Sequence, residues 1–159
     1  MSVPVIEAIA ADILSVVNTV TTANGYNQNL AGTRPTSREW RDGRAQSDGT
    51  VIVVQQGSDE DEDASAAGNV GMTAWYERFA LVAYVIDSDT ETTPMDTRTN
   101  QVRADLEKAL TEDRTRGGRA LDTIVRAPEF FDQGPGATGI VVVIDVRYRT
   151  DEDDPYTQR

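Results

Sequence analysis

The chain has 159 residues and carries 27 acidic side chains against 15 basic ones, for a formal net charge of −12. Such a balance argues against a positive groove tracking nucleic-acid phosphates, because that affinity comes from Lys and Arg neutralising them. With neither cysteine nor histidine, disulfides, zinc sites built on those ligands, thiol nucleophiles and imidazole acid–base chemistry are all excluded.

The first expected element is an amphipathic helix: Ile6, Ile9, Ile13, Val16, Val17 and Val20 recur at three- and four-residue spacing, with Glu7, Asp12, Ser15 and Asn18 between them. Pro4 suits a first helical turn, where its missing N–H costs nothing, and Asn24-Gly25 offers a left-handed stop. Acids on the polar face speak against a membrane-surface helix, which uses basic residues there. No apolar run approaches the ~20 residues needed to cross a bilayer, and MSVPVIEAIAADILSVV lacks the basic start of a secretory signal. A soluble, intracellular protein is the expectation.

From Tyr26 to Gly49 turn-forming residues dominate, interrupted by Arg34, Arg38, Arg41 and Arg44; Arg38 to Arg41, around Trp40, reads as a short edge strand. Val51 to Gln55 reads as a short buried strand and Trp75 to Asp87 as the longest strand. In the latter, Phe79, Leu81, Ala83 and Val85 share one face, and Arg78, Ala80, Val82, Tyr84 and Ile86 the other. Between them, Gly57 to Met72 is too polar and acidic for packing to order it.

A second helix is expected from about Thr97 to Asp113, with Val102, Leu106, Ala109 and Leu110 as its apolar stripe. Lys108 lies off that stripe, within side-chain reach of Asp105 and Glu112, as a surface cation among acids. Gly117-Gly118 would end the turn after it, Leu121 to Ala127 alternates as a strand, FFDQGPGATG makes a turn, and Ile140 to Arg149 makes the last strand. TDEDDPYTQR reads as an acidic, mobile tail. The fold class is therefore α+β: a mixed or antiparallel sheet of four to five strands with two helices packed on one face. Residues 1–150 form one domain and 151–159 its tail.

The run Asp59-Glu60-Asp61-Glu62-Asp63 invites a calcium reading, but consecutive acids splay apart, and the glycine bend and distal bidentate glutamate of a calcium loop are missing. It reads as a solvated hairpin arm. Asp87 and Asp145 are the only buried-looking carboxylates that could hold magnesium for a phosphodiester-cleaving enzyme; a partner arginine on the same strand face is the simpler reading of Asp145. No enzymatic activity, cofactor or metal is expected. More informative are Arg78, Arg126, Arg147 and Arg149, which emerge from alternating apolar segments. Arginine on a sheet face marks solvent or an interface, where it is enriched and lysine depleted. Trp75, Tyr84, Tyr148 and Tyr156 are anchors of the same kind.

Among the cations there is one lysine to fourteen arginines. An acidic chain repels itself when compact, and molar salt relieves this by shrinking the Debye length to roughly 3 Å. Arginine also offers a less hydrated, planar fork. The composition thus fits a very salty cytoplasm. A GC-rich genome would explain the missing lysines but not the abundant aspartates.

ANGYNQNLAGT-RP with a following tryptophan, NQVRADLEKALTEDRTRGGRALDT and VVVIDVRYRTDEDDPY together resemble the tail terminator (tail completion) proteins of long-tailed phages, over nearly the whole chain but through degenerate motifs. The resemblance implies an α/β sandwich assembling six-fold into a non-catalytic ring on the finished tail tube, in the virion. Its partners would be copies of itself, a tube protein below and a head-completion or neck protein above, with DNA passing an acidic lumen that does not grip it. A head-closure or connector role carries the same signals. Interface positions follow at Arg114, Arg116, Arg147, Arg149, Trp75, Tyr148 and Tyr156. Arg114 and Arg116 are expected to reach acids on the adjacent subunit, and Gly57 to Met72 to act as an arm that orders against a neighbour.

Overall fold

The computed structural model describes residues 2–35, 47–61 and 71–158. Helix α1 spans Val5–Thr19 and is followed by a short 3-10 turn, Thr22–Asn24; helix α2 spans Met95–Glu112. The strands are β1 Ala31–Thr33, β2 Thr50–Glu60, β3 Met72–Ile86, β4 Asp122–Val125, β5 Glu129–Asp132, β6 Ala137–Asp151 and β7 Asp154–Gln158. They form one seven-stranded sheet with the path β1-β2-β3-β6-β4, and β5 and β7 also pair with β6. Among the described residues only the β1–β2 pairing is parallel. The architecture is α+β with a mixed sheet. Among the described residues no helix is long and apolar enough to cross a membrane.

Helix α1 forms despite its β-branched content because burial outweighs propensity. Ile9, Ile13 and Val17, at i, i+4 and i+8, are completely buried. The Pro4 carbonyl accepts from the amides of Glu7 and Ala8, opening the helix at the expected place. The stop differs from expectation: α1 ends at Thr19, whose carbonyl accepts from the Asn24 side chain at 2.7 Å, while Gly25, at φ 83°, closes the separate 3-10 turn. Helix α2 buries the expected stripe, Val102, Leu106, Ala109 and Leu110. Both helices share one core with Phe79, Leu81, Ala83 and Val85 of β3 and Ile140, Val142, Ile144 and Val146 of β6. The helices therefore cover one face of the sheet.

Several segments depart from the sequence reading. Strand β2 continues to Glu60, well past Gln55, because the backbone of β3 offers a ladder whatever the side chains are. A bulge between Gln55 and Gly57, with Gly57 at φ 139°, resets the register. The buried Glu77 carboxylate fixes it by accepting from the Gly57 amide at 3.2 Å and from the Ser58 hydroxyl. The Phe130-Phe131 segment is strand β5, not part of a turn, and the acidic tail is strand β7, folded back on β6 through Glu152-Asp153. Gly139 makes β5 possible: a Cβ there would lie 2.1 Å from the Phe131 ring. The loop after α1, unreadable in sequence, is held by the buried Asp105, which accepts from the amides of Asn27 and Gln28, each at 2.9 Å. The expected edge strand at Arg38 to Arg41 lies outside the described residues.

Candidate interaction face

Because Phe79 and Leu81 point to the helices, Arg78 points away from them. Register then decides its neighbours. Asp145 stands directly across from Arg78 on β6, and Ile124 of β4 stands across from Asp145 on the other side. Arg126 follows β4 two residues later. The result is a charge lattice on the face opposite the helices: Asp145 accepts from Arg78 Nε at 2.9 Å and from Arg126 Nε at 2.7 Å. Asp145 keeps only 5% of its side chain in solvent, whereas Arg78 and Arg126 keep 52% and 53%. Burial, the largest single influence, pushes the Asp145 carboxyl upward. The arginine hydrogen bonds and charges together outweigh it and hold the group below the usual carboxylate range.

Farther along the same face, Arg147 pairs with the buried Asp61 at 2.6 Å and lies over the Tyr76 ring, 5.7 Å from its centroid. Arg149 follows two residues on, half-buried. At the margin, Arg114 grips Asp122 with a bidentate fork at 2.7 and 3.0 Å. The opposite end of the face is apolar: Ile52, Val82 and Tyr84 form a buried cluster against which Phe131 packs, its ring meeting Tyr84 edge-on at 6.0 Å.

The expected interface residues are divided by this arrangement. Arg147 and Arg149 lie on the open face, and Tyr156 is exposed on β7. Arg114 is already engaged by Asp122 of its own chain. Arg116 requires correction: it is wholly buried and faces inward. Its Nε donates to Thr123 Oγ1 at 3.0 Å, another nitrogen donates to the Leu110 carbonyl at the end of α2, and Asp12 of α1 lies 3.6 Å away. Burial pulls this guanidinium below the usual arginine range, partly opposed by Asp12 and Asp113. Arg116 thus ties α1, α2 and β4 together within one protomer, so the expected reach to an adjacent subunit fails.

Trp75 and Tyr148 are likewise on the helix side. Trp75 is half-buried, with its Nε1 donating to Thr150 Oγ1 at 3.3 Å. Tyr148 is buried, and its hydroxyl is pushed up to about 12, first by burial and then by the Glu77 charge, against a hydrogen bond with Ser58. In the acidic arm, Asp59 and Glu60 are exposed strand residues paired across from Tyr76 and Trp75, and Asp61 is buried, so this part is ladder and not a free arm. Glu62 and Asp63 lie outside the described residues.

Sequence reading had singled out Arg78 and Arg126 as strand-face arginines. An arginine partner for Asp145 is expected from the sequence; the partners are Arg78 of β3 and Arg126 just past β4, one on each carboxylate oxygen. Tyr76, Asp122 and Asp105 were missed. Alternation places Tyr76 beside Arg78 on the open face and could have flagged it; Asp105 and Asp122 depend on contacts no local pattern encodes. Lys108 is also placed differently: Asp105 serves the loop, and Lys108 sits over the Tyr26 ring, 4.7 Å from its centroid. No family model and no curated protein matches the chain.

Proposed function

We propose that the protein is a structural subunit of a virus tail, assembling with copies of itself into a ring of six-fold type. The ring caps the tail tube, ends its growth and joins it to the head or neck. The reading rests on the sequence resemblance to tail terminators. One structural observation supports it further: the sheet face opposite the helices presents arginines held in fixed positions by Asp145 and Asp61. Planar, pre-oriented guanidinium groups lose little freedom on docking and suit recognition of a partner's carboxylates. Work of this kind is geometric and requires no catalytic step. A net charge of −12 would also repel DNA phosphates from the lumen, and it matches a host with a very salty cytoplasm.

Electron microscopy of the purified protein, alone and with polymerising tube protein, tests the proposal. Rings, and tubes that stop at a defined length with a cap, are the expected result. A protomer that stays monomeric and leaves tube length unchanged overturns it.

A further inference from the structure

The two ends of the sheet are complementary in charge. At one end, β1 pairs with β2 only as far as Ile52, so the outer edge of β2 beyond it has no strand partner among the described residues. That edge, Gln55 to Glu60, is exposed, contains no cation and ends in Asp59 and Glu60. At the other end, β4 closes the sheet path, and a groove of about 530 Å³ runs between α2 and residues 125–128. It is lined by Ala104, Val125 and Pro128 and by the cations Arg103, Lys108 and Arg126. The one carboxylate there, Glu107, is already paired with Arg103 at 2.9 Å. Arg126 is held in turn by Asp145, so three cations stand against two acids, a small positive excess on a strongly negative chain.

We infer that the acidic outer end of β2 in one copy docks in this basic groove of the next. Strands β3 and β6 lie between the two surfaces in the sheet, so a protomer does not fill its own groove. Joining two different surfaces is a heterologous contact, repeating head to tail until the rotation closes a ring. The lone lysine thereby gains a role: an ammonium beside the groove donates to carboxylates from several directions, where a guanidinium fork demands one. Contact pairs of this kind persist in molar salt better than long-range attraction, since screening acts mainly beyond the Debye length. The inference rests on the self-assembly reading and adds the surfaces through which it occurs.

A charge exchange tests it. One variant carries Arg103→Glu and Lys108→Glu, the other Asp59→Arg and Glu60→Arg; Arg126 is left intact because it holds Asp145. Light scattering should show each alone as a single protomer, with unchanged circular dichroism, and an equimolar mixture should return to the wild-type oligomer mass. Because the chain has no cysteine, a single chain carrying Glu60→Cys and Ala104→Cys gives a second readout. Oxidation should produce a ladder of cross-linked oligomers on denaturing gels, which neither single substitution gives. If both charge variants assemble like the wild type and the double-cysteine chain does not cross-link, this contact is wrong while ring assembly stands. A wild type that is monomeric at every protein and salt concentration removes both.

Discussion

On the helix-covered face of β3, Phe79 and Leu81 are completely withdrawn from water, whereas their neighbour Arg78, on the open face, keeps about half its side chain in solvent. The same strand thus serves two kinds of energetics. Toward the helices, stability comes from non-directional burial, where each large side chain contributes about 1.5–3 kcal/mol. Toward solvent, ion pairs add little net stability but fix orientation, because a guanidinium fork matches a carboxylate in few geometries. The covered face determines whether the protein folds; the open face determines what it presents.

The largest way to break this contrast is to cut into the covered face. Phe79→Ala should cost about 3–5 kcal/mol through lost burial and the cavity left behind, read as a fall in chemical-denaturation midpoint. Arg116→Met comes next, because it leaves the Leu110 carbonyl, Thr123 and Asp12 without their buried partner; a loss of about 3 kcal/mol is expected. Were Arg116 an intersubunit residue, the same substitution would spare the monomer and weaken only assembly.

Asp145→Asn sharpens the contrast from the open side. The amide keeps the shape but loses the charge that two half-exposed arginines share, for a loss of about 1–2 kcal/mol near neutral pH. The sign with pH follows from the depressed carboxyl. Its stabilisation is fully present above the ordinary aspartate pKa and disappears as pH falls through the lower folded value. Acid unfolding of the wild type should therefore be steeper below about pH 4 than that of the variant. At the alkaline end, Tyr148 titrates near 12 in the folded state. Its contribution is complete below the ordinary tyrosine pKa and is lost as pH climbs from there toward the folded value. Burial also raises Tyr26 and Tyr84, so ultraviolet difference titration should show several late tyrosinate steps, one of them lost in Tyr148→Phe.

How much of this was readable beforehand follows the same division. Period-3.6 and period-2 patterns placed both helices and β3, because apolar spacing reports burial directly. The polar half of β2, strand β5 and strand β7 were misread because their pairing is dictated by the long backbones of β3 and β6, which side-chain pattern does not report. Alternation alone aligned Arg78 and Arg126 as face residues, but only the register brings both to Asp145. Arg116 was misread for a related reason: in sequence it sits in an exposed-looking Thr-Arg-Gly-Gly turn, and only the fold turns its side chain inward from a backbone at φ 53°.

The smallest expected effect concerns Lys108. Its ammonium over Tyr26 is an exposed cation–π contact, worth about 0.5–1 kcal/mol. Lys108→Met should therefore shift the thermal midpoint of the protomer by no more than about 2–4 °C. Lys108→Arg should leave it unchanged, since a guanidinium stacks on the same ring. A larger loss would mean that the lysine serves the fold, and would make the charge-exchange variants poor reporters of docking. A loss this small leaves stability unable to explain why one lysine stands among fourteen arginines, and directs attention to the groove it lines.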